Sequence, residues 1–287
     1  MKTALYTLIA LLAFAGNSIL CRLALGDEAI DAASFTIIRL LAGIVTLLII
    51  LKLRTGGSRQ PSKGSWKAAL YLFVYAISFS YAYISIETGV GALILFCAVQ
   101  ITMILMQLIN GKRLIVLEWL GVVLAFGGLV YLLLPGARAP SVSGFILMAI
   151  AGVAWGFYTL AGKGSVNPLA DTSFNFLRTL PLVVVLLLVS LQQAELSQRG
   201  ILLAVMSGAV ASGIGYTIWY MALGGLSAVQ AAVLQLIVPV IAAIGGVIFA
   251  DEPLSLRLVL AGLLILGGIL VVILGRYHHD QKALSGS

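Results

Sequence analysis

Few residues in this chain could do chemistry, and those that could are neutral and set inside apolar runs. Gln100 lies in "FCAVQITMI" and Gln235 in "AAVLQLIVP". A primary amide needs hydrogen-bond partners once water is removed, so each glutamine points to a neighbouring helix or a wet cavity rather than to hydrocarbon. Ser212, Tyr216, Trp219 and Tyr220 fall at i, i+4, i+7 and i+8, one face of a helix. Ser78, Tyr81 and Ser85 share a face in an earlier run, and Asn17, Trp155 and Tyr158 sit midway along two others. This set holds no nucleophile with a base and no metal-ligating cluster, because the His, Asp and Glu residues avoid the middles of the runs. Its chemistry is non-covalent recognition: ring faces attract cations and flat apolar bodies, while amides and hydroxyls hydrogen-bond polar ends. The competing reading is structural, since membrane tyrosines anchor helices at interfaces and a buried glutamine can tie helices together for about a kcal/mol.

The elements that must position these residues follow from composition. Of 287 residues, 61% are hydrophobic and 9% charged, against roughly 25% charged in a soluble domain. So few charges cannot coat a water-exposed globule, and lipid must be the solvent for most of the chain. Apolar runs of about 20 residues, each long enough to cross a ~30 Å hydrocarbon layer as a helix, occur at 3–25, 32–53, 66–87, 90–110, 115–135, 142–163, 171–191, 200–223, 227–250 and 256–275. They lack the period-2 alternation of barrel strands. The expected fold is an all-α polytopic membrane protein with ten transmembrane helices. Cys21 and Cys97 lie within runs and read as small hydrophobes. The net charge of +7 is spread over short gaps, not gathered on one face, which argues against nucleic-acid binding. No glycine-rich phosphate loop is present to support ATP drive.

The two halves repeat. "FTIIRLLAGIVTLLII" (35–50) aligns with "FNFLRTLPLVVVLLLV" (174–189), placing Arg39 on Arg178. "FGGLVYLLL" (126–134) aligns with "LGGILVVIL" (266–274), Gln100 falls on Gln235, and Tyr81 falls on Tyr216. The offsets agree to within a few residues, so the chain reads as a first five-helix repeat (1–138), a second (139–276) and a cytoplasmic tail (277–287). An odd number of helices per repeat makes the second enter the membrane from the opposite side. Two inverted repeats meeting at mid-membrane are a recurrent plan of secondary transporters. The recurrence of Gln and Tyr in both repeats favours the cavity reading of those residues. The opening "MKTALYTLIALLAFAGNSILCRLAL" has the look of a secretory signal, with "AFA" before "GNS". It nevertheless pairs with 143–165, and its apolar length exceeds a signal's 7–15-residue core. A retained first helix is expected.

Orientation follows from the cations. With the N-terminus inside, Lys2, Lys52, Arg54, Arg59, Lys63, Lys67, Lys112, Arg113, Lys163, Arg276 and Lys282 fall on the cytoplasmic side, and Arg138, Arg199 and Arg257 outside. This bias puts both termini in the cytoplasm, for a multi-pass protein of an inner (plasma) membrane. Arg39 and Arg178 lie within spans, where an arginine is costly unless paired. Each could bind a carboxylate, clamp helix-end carbonyls or snorkel to the interface. Inverted repeats place the two at opposite depths, so both cannot reach one central site, and a clamp or gate is expected. Pro239 frees the carbonyl of Gln235 and Pro181 that of Leu177, kinking the ninth and seventh helices as hinges or as static bends. The glycine pairs 127–128 and 267–268 suit close internal packing, and a monomer is expected.

"ADEPLSLRLVLAGLLILGGILVVIL" (250–274) resembles the Glu-Pro-Leu and glycine-rich last helix of ten-helix EamA-type permeases of the drug/metabolite transporter superfamily. "VAWGFYTLAGKG" (153–164) resembles their Trp-Gly first-helix motif, and Arg39 and Arg178 their second-helix arginine. Within the superfamily the chain looks most like YddG-type exporters of aromatic amino acids. It departs at "NGKRLIV", where Lys112 and Arg113 stand in place of Glu252 and Pro253, and at Ala15-Gly16-Asn17, which lacks the tryptophan. The resemblance implies export or facilitated diffusion of amino acids, related metabolites or drugs by alternating access. All ten acids lie at helix ends or in loops, so no mid-membrane carboxylate offers itself as a proton relay. Uncoupled diffusion is therefore expected. Proton- or ion-coupled multidrug export is the alternative, and a membrane-embedded enzyme is disfavoured. The expected partners are a small-molecule substrate and the bilayer, with no cofactor. Asn17, Ser78, Tyr81, Gln100, Trp155, Tyr158, Tyr216, Trp219 and Gln235 are the candidate binding residues. Arg39, Arg178, Pro181 and Pro239 are the gating or structural ones.

Overall fold

The computed structural model describes residues 2–55, 64–111, 114–134, 139–162, 165–226 and 228–285. The loop cations Arg59, Lys63, Lys112, Arg113, Arg138 and Lys163, and the repeat boundary at 138, lie outside the described residues. Six uninterrupted helices come first: α1 (Lys2–Leu25), α2 (Ala32–Thr55), α3 (Trp66–Ala82), α4 (Thr88–Ile109), α5 (Val116–Leu133) and α6 (Val142–Ala161). Broken helices follow: α7 (Pro168–Arg178) with α8 (Leu180–Ser190), then α9 (Gln198–Val205), a π-helical segment (Met206–Ile214) and α10 (Gly215–Leu223). The chain ends with α11 (Ala228–Gln235), α12 (Ile237–Phe249) and the long α13 (Leu256–Ser285). Among the described residues, nine helices are long and apolar enough to cross a membrane. The remaining apolar helix, α3, has 17 residues, about 26 Å at 1.5 Å per residue. Extended structure among the described residues is limited to an isolated bridge between Ile30 and Leu196.

Local chemistry sets the helix ends. Side chains of Ser65, Ser141, Asn167 and Ser197 accept the free N–H groups at the starts of α3, α6, α7 and α9, as N-caps do. Glu118 accepts from the Ile115 N–H at 2.8 Å at the start of α5. Pro181 and Pro239 each stand just after a break, at Thr179 and Leu236. A proline there withholds the N–H that would hold the preceding turn. α2 and α4, with which these helices align in sequence, are unbroken. The π segment was not foreseen from the sequence.

α5 packs along α13, α6 against α3 and α4, and α1 against the π segment, α10 and α12. α2 packs against α7, α8, α9 and the π segment, and α4 against α12. Glycines set several of these approaches. Gly121 and Gly268 face each other between α5 and α13, and Gly128 packs on Ala261, Leu264 and Ile265, while Gly127 and Gly267 face open space. Only half of each Gly-Gly pair therefore serves the packing expected of it. The helical path also continues through the expected tail to Ser285.

Candidate functional site

The centre of the bundle is polar, and Asn17 of α1 is its hub. Its Oδ1 accepts from Arg39 Nη2 at 3.3 Å and from Ser207 Oγ at 2.6 Å, and its Nδ2 donates to Tyr75 Oη at 3.3 Å. Arginine can only donate, which fixes the amide's orientation. The four side chains come from α1, α2, α3 and the π segment. Gly208 brings the last within reach: its backbone lies against the Arg39 carbonyl so closely that a Cβ has no room there. π turns are rare and recur at functional sites, and this one sets the Ser207 hydroxyl on Asn17.

Arg39 is 3% exposed. Its guanidinium lies 5.1 Å from the ring centre of Phe79, 5.8 Å from Tyr75 and 5.9 Å from Phe35. Its Nη1 has no hydrogen-bond partner. Of the expected clamp or gate, the clamp does not describe it, because its described hydrogen bond goes to the Asn17 side chain and not to a helix-end carbonyl. Arg178 does clamp: Nη1 donates to the Phe174 carbonyl at 3.3 Å and the group lies 5.7 Å from the Trp66 ring centre.

An aromatic wall adjoins the polar hub. The Trp155 ring lies tilted against three tyrosines, with ring centres 4.7 Å from Tyr75, 5.2 Å from Tyr158 and 5.5 Å from Tyr216. Tyr216 meets Phe14 and Phe176, and Phe14 meets Trp219. Tyr158 Oη is buried without a partner. Asn17, Trp155, Tyr158, Tyr216 and Trp219 thus come together with Arg39.

Other expected residues do not join them. Tyr81 is 38% exposed and Ser85 pairs with Ser141 at the start of α6, so the proposed Ser78–Tyr81–Ser85 face does not join this cluster. Only Ser78 of the three is buried. The physical reason is the π segment. α3 is regular up to Ala82, whereas Tyr216 follows wider turns that rotate it inward, so equal sequence offsets do not give equal faces. Tyr75 takes the place expected of Tyr81. Gln100 and Gln235 are half-buried without a hydrogen bond among the described residues, a turn away from Phe96 and Val238 in a second apolar cluster containing Trp219. Sequence reasoning missed Phe14, Tyr75, Phe79, Phe176 and Ser207. The period-four series Tyr71, Tyr75, Phe79, Tyr83 was a usable signal for two of them; nothing local singled out Ser207.

The ends of the bundle are tied by acids. Glu252 of the Glu-Pro-Leu motif accepts from the Thr88 N–H at 2.9 and 2.8 Å and from Arg22 Nε at 3.0 Å. It therefore caps α4, where the helix dipole favours an anion, and holds α1 to it. Arg276 pairs with Glu118 at 2.8 Å and Arg199 with Asp27 at 3.0 Å. At the opposite end from Glu252, Gly64 N–H donates to Asp171 and Ser65 N–H to Asn175. A lateral groove of about 480 Å³ between α3 and α6, lined by Val74, Phe145, Ala149, Val153 and Phe157 among others, is apolar and suits lipid tails.

The EamA-like transporter family model matches residues 1–134 and 142–274. An uncharacterized protein of Pseudomonas aeruginosa is 50% identical over 275 residues, 96% of each chain. An uncharacterized transporter of Archaeoglobus fulgidus is 29% identical over 205 residues, covering 70% of this chain and 73% of that one. A solved crystal structure superimposes with a TM-score of 0.63 over 93% of this chain and 97% of the other, at 19% identity, a likeness of fold alone. Matched along both halves and built of membrane-length helices, the chain belongs to the EamA-like transporter family of multi-pass membrane transporters.

Proposed function

We propose that the chain is a secondary carrier of amino acids, aromatic ones included, and of related small metabolites across a bacterial inner membrane. In this reading ten crossings form two inverted five-helix repeats, 1–138 and 139–276, with both termini cytoplasmic, and access to the centre alternates as they rock. The observation that carries it is the buried hub of Asn17, Arg39, Tyr75 and Ser207 beside the Trp155–Tyr216 wall. An ionisable group buried at depth in a membrane bundle is expensive and marks a substrate pathway by default.

The repeat reading is supported by packing that keeps its form when each apolar run is exchanged for the one five places on. α6 on α3 and α4 mirrors α1 on the π-containing helix and α12, and α5 on α13 maps onto itself. The family model's double match supports it too. The described acids stand at helix ends or in loops, where they cap helices or pair with arginines, so transport is taken to run down the gradient without a coupled proton. Uptake of labelled amino acids into proteoliposomes tests this. Uptake that persists under ionophores supports it. Accumulation driven by an imposed pH gradient sinks the uncoupled mechanism, and no uptake of any amino acid sinks the substrate class.

A further inference from the structure

We propose that Arg39 is the anchor for a substrate carboxylate and that the site takes aromatic monocarboxylates. The inference rests on the carrier reading above and names the charge that the carried molecule must have. A guanidinium deep in a membrane bundle is expensive unless a negative group meets it. Two other partly buried arginines meet that demand with protein carboxylates: Arg22 has Glu252 and Arg276 has Glu118. Arg39 is 3% exposed and has no carboxylate partner among the described residues; its Nη2 donates to the neutral Asn17. Its Nη1 edge is left with no acceptor at all.

The surroundings select for an anion with a flat body. Phe35, Tyr75 and Phe79 pack around the guanidinium, where their ring faces take the place of solvating water. Tyr75 leads directly to Trp155 and on to Tyr158 and Tyr216. A ligand with its carboxylate on Nη1 lays an aromatic or long apolar body along that wall. At the far part of the wall the buried and partnerless Tyr158 Oη offers a second hydrogen bond to a polar substituent. Planar, two-pronged guanidinium is the natural receptor for a carboxylate. An amine of the same shape finds a cation in its place. Arg178, the counterpart in the second half, is already spent on the Phe174 carbonyl and Trp66, so the molecule has one anchor and one binding orientation.

The test uses the full chain with three probes of one body: phenylalanine, phenylpropionate, which lacks the ammonium, and phenethylamine, which lacks the carboxylate. Thermal shift of the purified protein reads binding, and proteoliposome uptake reads transport. Phenylalanine and phenylpropionate should stabilise the wild type and compete with each other, and phenethylamine should do neither. Arg39→Gln should weaken both carboxylates by about tenfold to a hundredfold, the scale of a lost charge-assisted hydrogen bond, and Arg39→Lys should recover part of that. Phenethylamine binding as well as phenylalanine, or a folded Arg39→Gln that keeps carboxylate affinity, overturns the anchor. Continued uptake in that case leaves the carrier reading standing. If none of the three binds or is taken up, the anchor and the aromatic substrate class fall together. The wild-type comparison decides the matter even where Arg39→Gln fails to fold.

Discussion

Replacing Asn17 by leucine and by aspartate should move stability in opposite directions while both lower transport. Asn17 accepts from Arg39 and Ser207 and donates to Tyr75. Leucine of similar size fills the space and removes all three bonds. The bond to the charged guanidinium is worth about 1.5–3 kcal/mol, and the two neutral interhelical bonds about 0.6 kcal/mol each in a membrane protein. The sum is about 3–4 kcal/mol, roughly a hundredfold to a thousandfold in the unfolding equilibrium. Aspartate keeps the acceptors toward Arg39 and Ser207 and brings the negative charge that Arg39 lacks, so that variant should be at least as stable as the wild type. The same carboxylate occupies the anchor, and uptake of carboxylate substrates should fall steeply. Unfolding followed by tryptophan fluorescence in a titration of denaturing detergent, beside proteoliposome uptake, reads both effects. Asn17→Leu unfolding at the wild-type midpoint would refute the hub. Asn17→Asp proving less stable than Asn17→Leu would refute the claim that Arg39 is an uncompensated charge.

Gly208→Ala should separate the π segment from α2, because its Cβ would press on the Arg39 backbone; a loss of about 1–3 kcal/mol is the scale of such overpacking, measured by the same titration. Tyr81→Ala should leave uptake near the wild-type rate, since the ring is exposed and outside the cluster, whereas Tyr75→Ala should lower it; equal losses in both would return Tyr81 to the site. Gln100→Leu and Gln235→Leu should not lower stability, because neither side chain has a hydrogen bond among the described residues, and a drop in uptake at unchanged stability would place them on the substrate path. Glu252→Gln should cost at least about 1.5 kcal/mol by weakening the charged bond to Arg22, visible as a lower unfolding midpoint.

Which residues form the site was only partly legible. Asn17, Trp155, Tyr158, Tyr216 and Trp219 stood out because polar or amphipathic groups in a hydrocarbon-length run need a reason to be there, and the structure gathers them. Tyr81 was misplaced because a repeat read from sequence assumes that both halves turn alike. Arg39 was expected to be a clamp or gate because inverted repeats put it and Arg178 at opposite depths, yet the two arginines occupy matched positions in unlike surroundings. Ser207 carries no local signature and matters only because Gly208 lets its segment approach α2.

The sequence by itself determined the solvent of this protein and the helical nature of its crossings. With 9% charged residues in long apolar runs, backbone groups in lipid have no partners except those within a helix. It also marked the proline breaks at Thr179 and Leu236, since a proline acts within a few residues of itself. Only the tertiary structure decided which polar groups meet. A π segment of nine residues changes the direction of every side chain after it, and a glycine that admits a neighbouring backbone decides which hydroxyl reaches Asn17. Those are contacts between segments far apart in the chain, and no local pattern encodes the rotation and separation of one helix against another.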